Sequence, residues 1–92
     1  MDLRNAIIFS IGNELVEGLI VDTNSKYLSE KLKALGYYVV RIETLPDKLE
    51  ILVGRFKAGL LEADLLITTG GLGPTEDDLT REAMAQALGR KL

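Results

Sequence analysis

Residues 67–83, Ile-Thr-Thr-Gly-Gly-Leu-Gly-Pro-Thr-Glu-Asp-Asp-Leu-Thr-Arg-Glu-Ala, place three glycines directly after an apolar run and follow them with three acids. Gly70, Gly71 and Gly73 let backbone amides approach a ligand with no Cβ in the way, and the helix start expected at Asp78 to Arg81 adds free N–H groups and partial positive charge. Together they suit a phosphate, although glycines alone also suit a tight strand-to-helix turn. The spacing is not that of a P-loop, because Gly71 is followed by Leu-Gly-Pro-Thr-Glu, and the dinucleotide glycine pattern fails at Glu76.

Glu76, Asp77 and Asp78 would repel a phosphate unless they have another role. Asp78 suits a helix cap and Glu76 a solvated acidic turn. For Asp77 and Asp78 the alternative is a divalent cation, with Mg²⁺ the natural choice, since that ion uses one or two carboxylates together with phosphate oxygens. A bridging cation reconciles glycines and acids in one site. Asp47, after the second strand, is either a helix cap or an acid at the ligand. Glu14 and Asp22, in the long first loop, offer further carboxylates for a cation or a ribose hydroxyl, or are ordinary surface acids. Thr69 and Thr80 are read as hydroxyl donors to the phosphate and Thr68 as a sheet residue.

The rest of the composition narrows the chemistry. The 92 residues contain no Cys and no His, which removes thiolate nucleophiles, disulfides, thiolate zinc sites and imidazole bases. Carboxylates, hydroxyls, backbone amides and a bound cation remain. A hydrophobic content of 47% marks a folded chain rather than a disordered one, and the length allows at most one small domain. The formal charge of -3 argues against nucleic acid or an anionic membrane as partner. The first apolar run, about seven residues long, is too short to span a bilayer and has no cleavage site after it, so a cytoplasmic protein is expected.

The elements that must position these residues alternate. Ala6 to Ile11 reads as a buried strand ended by Gly12. A helix follows, with Thr23 or Asn24 as N-cap, Leu28, Leu32 and Leu35 on one face and Gly36 as its stop. Residues 37–45 form a second strand ended by Pro46 and Asp47. Leu49, Leu52, Val53, Phe56 and Leu60 mark a second helix, weakened by Gly54 and Gly59. Residues 64–69 are a third strand, and Leu79 to Leu88 a third helix between Asp78 and Gly89. The few aromatic residues fall mostly at core or sheet positions and give no stacking platform, and Lys26, Lys31 and Lys33 form a solvated face with Glu30. This order predicts an α/β fold: an open parallel sheet with helices on both faces, three layers in all, whose ligand edge lies beyond the carboxyl ends of the strands. Every candidate residue falls on that edge.

At this point the sequence resembles the molybdopterin-binding domain family, and within it the competence/damage-inducible protein A (CinA) group, over essentially its whole length. The carrying motifs are residues 10–36, Ser-Ile-Gly-Asn-Glu through Ala-Leu-Gly, and the run 68–83, in which Gly-Gly-x-Gly with Asp78, Thr80, Glu82 and Ala83 is shared with the wider family. The form Gly-Leu-Gly-Pro-Thr-x-Asp-Asp at 71–78 singles out the CinA group. The resemblance implies that Thr69, Gly70, Gly71 and Gly73 hold a phosphate of a pterin or dinucleotide, and that Asp78 and Asp47 are acids placed at the ligand. It implies metal-assisted hydrolysis of the pyrophosphate of ADP-ribose, or, as in the molybdenum-cofactor members, adenylyl transfer to molybdopterin. A non-catalytic pterin or nucleotide module is the alternative. Homo-oligomers, dimers or trimers, are also implied. Family domains run to roughly 150 residues, so residues 1–92 are expected to be the N-terminal part of such a domain, truncated before the strand that would follow.

Overall fold

A computed structural model describes residues 4–18, 22–70 and 74–90, and the side chains of residues 74–77 fall outside that description. The order is β1 (Arg4–Ile11), α1 (Asn13–Val16), α2 (Thr23–Ala34), β2 (Tyr37–Leu45), α3 (Leu49–Glu62), β3 (Leu65–Gly70) and α4 (Pro74–Leu88). The three strands pair in the order β2-β1-β3, and both pairings are parallel. No helix among the described residues is long and apolar enough to cross a membrane.

β1 is apolar on both faces because both are covered. Ile7, Phe9 and Ile11 join Leu45, Leu52, Phe56 and Ala83 in a cluster beneath α3 and α4. Ala6 and Ile8 join Leu32 on the opposite face, beneath α2. The expected three layers are therefore present. Phe9 and Phe56 meet with ring centroids 5.2 Å apart at an interplanar angle of 58°, a favoured tilted aromatic contact.

β2 occupies the predicted residues but carries an irregularity that alternation alone does not reveal. Ala6 pairs with Val39 and Ile7 with Arg41, so Val40 is an extra residue in the ladder. Such a bulge reverses which side chains face which layer. Tyr37 and Val39 thus pack with the α2 layer, whereas Leu45 packs with the α3 layer. Arg41 and Glu43 turn to α3, where Glu43 accepts from Arg55 Nε at 2.7 Å and from Arg41 Nε at 3.0 Å, and Arg41 also donates to Glu62 at 2.5 Å. The Arg55 hydrogen bond, helped by Arg41 and opposed by partial burial, holds the Glu43 carboxyl below its ordinary range.

Three helix boundaries differ from expectation. α2 begins at Thr23, and its N-cap is Asp22 rather than Thr23 or Asn24. α3 is capped by Lys48 without a side-chain cap bond, so Asp47 is not its cap. α4 begins at Pro74, not at Leu79, which makes Asp78 a residue within the helix instead of its cap. Proline suits a first helical position because its missing N–H would have no partner there, and that signal is stronger than the acidic run that followed it. α1, a single short turn, lies in what the sequence offered only as loop.

The two glycines of α3 do different things. A Cβ at Gly54 would meet nothing within 4 Å, whereas one at Gly59 would stand 3.0 Å from Phe9 Cζ and 3.1 Å from Leu66 Cδ2. Gly59 lets the helix lie close on the sheet; Gly54 has no such task. Gly54→Ala should therefore stabilise by about 0.5–1 kcal/mol through helix propensity, raising the melting temperature by roughly 4 °C. Gly59→Ala should lower stability by about 1–3 kcal/mol because fully buried Phe9 cannot give way. Thermal melts of the two variants check both signs.

Candidate functional site

The carboxyl ends of all three strands lie on one edge, and the backbone ties them together. The Gly12 N–H donates to the Leu45 carbonyl at 2.9 Å, joining the ends of β1 and β2. The Asp47 N–H donates to Asn13 Oδ1 at 3.0 Å, joining the loops that follow them. Asp47 and the exposed Glu14 of α1 are in this way held in adjoining loops of the same edge.

The end of β3 is pressed still closer to β1. Gly70 pairs with Ile11 and has φ 92°, a left-handed value that glycine adopts at no steric cost. A Cβ there would lie 2.1 Å from the Ile11 carbonyl oxygen. No other residue fits both the conformation and the space. Gly71 and Gly73 lie outside the described residues. Beyond them α4 opens at Pro74, so the free N–H groups of its first turn belong to the residues just after the glycines, earlier in the chain than the sequence placed them.

Asp78 is exposed and sits past the first turn of α4, and Thr80 is half-buried further along the same helix. The side chain of Asp77 lies outside the described residues. Among the described residues no three carboxylates gather into a cation site, so Asp47, Asp78, Glu14 and Asp22 do not form one cage. Asp78 nevertheless lies in the amino-terminal half of the helix that follows the glycine turn, a placement compatible with a hard cation shared with phosphate oxygens.

Asp22 is engaged elsewhere. Its Oδ1 accepts from the Ser25 N–H at 3.0 Å as the cap of α2, and its Oδ2 accepts from Ser10 Oγ at 2.5 Å. Ser10 and Ser25 are buried and their hydroxyls bond each other. Since the Ser10 proton goes to the carboxylate, Ser25 must donate to Ser10. Partial burial works to raise the Asp22 carboxyl, but the hydrogen bonds from Ser10 and Ser25 outweigh it and hold the group below its ordinary value of 3.8. The sequence offered Asp22 as a ligand acid and passed over both serines; a serine at the end of an otherwise apolar strand was the available signal. Ser10 pairs with Thr69, so this knot lies beside the end of β3.

Between α2 and β3 an open groove of about 370 Å³ is lined by Asn24, Tyr27, Leu28, Ile67, Thr68 and Thr69. Thr69 is half-buried at its upper end, next to Gly70. Tyr38, at its expected place in the sheet, is 57% exposed, and Tyr27, on α2, is 59% exposed and belongs to neither core nor sheet.

A parallel sheet in the order β2-β1-β3, covered by helices on both faces, defines an open α/β domain of the doubly wound type. The chain matches the probable molybdopterin binding domain family over residues 7–92 and belongs to it. It is 68% identical over 90 residues to a CinA-like protein of Fervidobacterium nodosum, covering 98% of this chain and 22% of that protein. Among solved structures it is similar to the protein CinA, of unknown function, from Thermoplasma acidophilum, with a TM-score of 0.86, 37% identity and coverage of 95% of this chain and 52% of that one. It is also similar to the molybdopterin biosynthesis enzyme MoaB of Thermus thermophilus, with a TM-score of 0.81, 26% identity and coverage of 98% and 58%. The chain thus spans about a fifth of the curated relative and about half of each solved structure.

The acid behaviour of the knot is testable. Because the folded Asp22 carboxyl is held below 3.8, its contribution is fully present above that value and is lost as pH falls through the folded value. Asp22→Asn keeps a capping oxygen but loses the carboxylate oxygen that accepts from Ser10, and should cost about 1.5 kcal/mol at neutral pH, the worth of a hydrogen bond to a charged group. The gap from the parent chain should close progressively below pH 3.8, as denaturant melts at several pH values will read out.

Proposed function

We propose that the carboxyl edge holds a phosphate of a nucleotide-like ligand, and that with a divalent cation it hydrolyses the pyrophosphate of ADP-ribose or a related dinucleotide. The observation that supports this most is Gly70, whose left-handed backbone lies against the Ile11 carbonyl four residues before α4 begins. In this reading Thr69, Gly70, Gly71, Gly73 and the first turn of α4 hold phosphate oxygens, with Thr80 a further hydroxyl of the same helix. Asp78 and Asp77 would hold the cation, which when bound supplies charge neutralisation on the phosphate. Asp47, whose N–H is held by Asn13 in the loop after β2, would be the acid that takes a proton from the attacking water. Water adds to one phosphorus, the bridging oxygen leaves with the other, and AMP and ribose 5-phosphate result.

A second reading is retention of molybdopterin through its phosphate without turnover. Its support is the similarity to the molybdopterin biosynthesis enzyme MoaB and the family's own description.

³¹P NMR of ADP-ribose with this chain separates the two. AMP and ribose 5-phosphate appearing only with Mg²⁺ is the expected result; a ligand that broadens but is never consumed would reduce the function to binding. Asp78→Asn should abolish turnover and leave phosphate affinity largely intact, and an unchanged rate would remove Asp78 from the mechanism. Gly70→Ala should weaken phosphate binding at least tenfold and cost about 2 kcal/mol of stability, from backbone strain and overlap with the Ile11 carbonyl. Equal affinity, read by calorimetry, would sink the amide cradle.

A further inference from the structure

β2 is the outer strand of the sheet, with β1 on one side and no strand on the other among the described residues. The Leu45 carbonyl accepts from the Gly12 N–H, so the backbone groups of Leu45 face β1. Direction alternates along a strand. The backbone groups of Glu43 and Arg41 therefore also face β1, and those of Ile42 and Thr44 face outward. Soluble domains commonly blunt such an edge with lysine or proline, yet residues 37–45 contain neither. The bulge at Val40 is a further blunting device, but from the pairing of Ile7 with Arg41 to that of Ile11 with Leu45 the ladder is regular. Tyr38, Val40 and Ile42 are exposed apolar residues along this strand, and exposed Leu35 closes α2 just before it.

The charges on the strand do not forbid a neighbour. Arg41 and Glu43 are bonded to each other and to Glu62 and Arg55, a group in which positive and negative charges balance. They do select one, because their order suits a second copy of this chain. Two copies of β2 related by a two-fold axis run antiparallel, and outward-facing residues then oppose outward-facing residues. Setting Ile42 against the partner's Thr44 would bring Glu43 against the partner's Glu43. Setting it against the partner's Val40 would bring Arg41 against the partner's Arg41. Like charges directly opposite are destabilising. Setting Ile42 against the partner's Ile42 instead brings Arg41 against the partner's Glu43, twice by symmetry, and Thr44 against the partner's Val40.

We propose that the free edge of β2 is a self-association surface, on which two copies of the chain pair antiparallel about Ile42 and join their sheets into one. The backbone groups of Ile42 and Thr44 supply the ladder, Ile42 the apolar contact on the axis, and Arg41 with Glu43 the register. Pairing along a single strand buries less than a standard interface, so the dimer forms at high chain concentration and exchanges with monomer. Antiparallel strands point the two carboxyl edges in opposite directions, which leaves the anion site of each copy independent of the pairing.

Sedimentation velocity from micromolar to millimolar chain should show a monomer that converts to a dimer. Ile42→Lys, at an exposed position, sets two ammonium groups against each other on the axis and should weaken association at least tenfold without lowering the melting temperature of the dilute chain. Because the sequence has no Cys, one introduced thiol reads the register. Ile42→Cys should form an intermolecular disulfide on oxidation, since Cα atoms across a hydrogen-bonded antiparallel pair lie about 5.5 Å apart, within disulfide reach. Thr44→Cys should not, because this register offsets the two thiols by about 14 Å along the strands. A chain that stays monomeric throughout, or equal cross-linking of the two cysteine variants, would overturn the pairing. A dimer undiminished in Ile42→Lys would overturn it too and move the interface to another face, the outer edge of β3 included.

Discussion

The burial of β1 is the constraint on which the rest of the structure depends. It is paired on both edges and covered on both faces, so Ala6 to Ile11 exchange almost no surface with water. Fully burying side chains such as Ile7, Ile8, Phe9 and Ile11 is worth about 1.5–3 kcal/mol each. A strand enclosed in this way cannot shift by one residue without moving Phe9 out of its contact with Phe56 and exchanging the contents of the two layers. That fixed register sets which residues stand at the carboxyl edge. Ile11 faces Gly70, Ser10 faces Thr69, and the loops after β1 and β2 are joined through Gly12 and Asn13.

The candidate site follows from that register. Close approach of β3 to β1 excludes any Cβ at position 70, which takes a left-handed conformation four residues before the start of α4. On the other face, the carboxylate of Asp22 joins the end of β1 to the beginning of α2 through two buried serines. Their hydroxyls would be costly to bury alone; in a closed chain of hydrogen bonds each has its partner. The edge is thus fixed on both sides of the sheet. The glycine turn and the α2 groove adjoin at Thr69.

Much of this was legible in the sequence because it rests on local rules. Apolar runs of strand length, Gly36 and Gly89 after helical periodicity, and Pro46 after a β-branched run gave the elements and their parallel order. What escaped depended on partners distant in the chain. The extra residue Val40 appears only when β2 is set against β1, and it decides that Arg41 and Glu43 meet Glu62 and Arg55 of α3 instead of α2. Asp22 looked like a ligand acid because its partners, Ser10 in the buried first strand and Ser25 in the helix, are brought to it only by the fold. Asp78 looked like a cap because an acid before an apolar stripe is a good helix start, yet Pro74 opens the helix earlier. Tyr27 departs from the core or sheet placement expected of the aromatic residues as a group and is exposed beside the groove.

The central claim is that the edge at Gly70 is an anion site, and its most direct test is residue-resolved. Titrating inorganic pyrophosphate into ¹⁵N-labelled chain and following amide shifts should perturb Thr69, Gly70 and the first turn of α4. The amides at the opposite end of the sheet, around Asn5 and Tyr37, should stay unmoved. Shifts concentrated at that opposite end, or none at Gly70 at saturating pyrophosphate, would contradict the account.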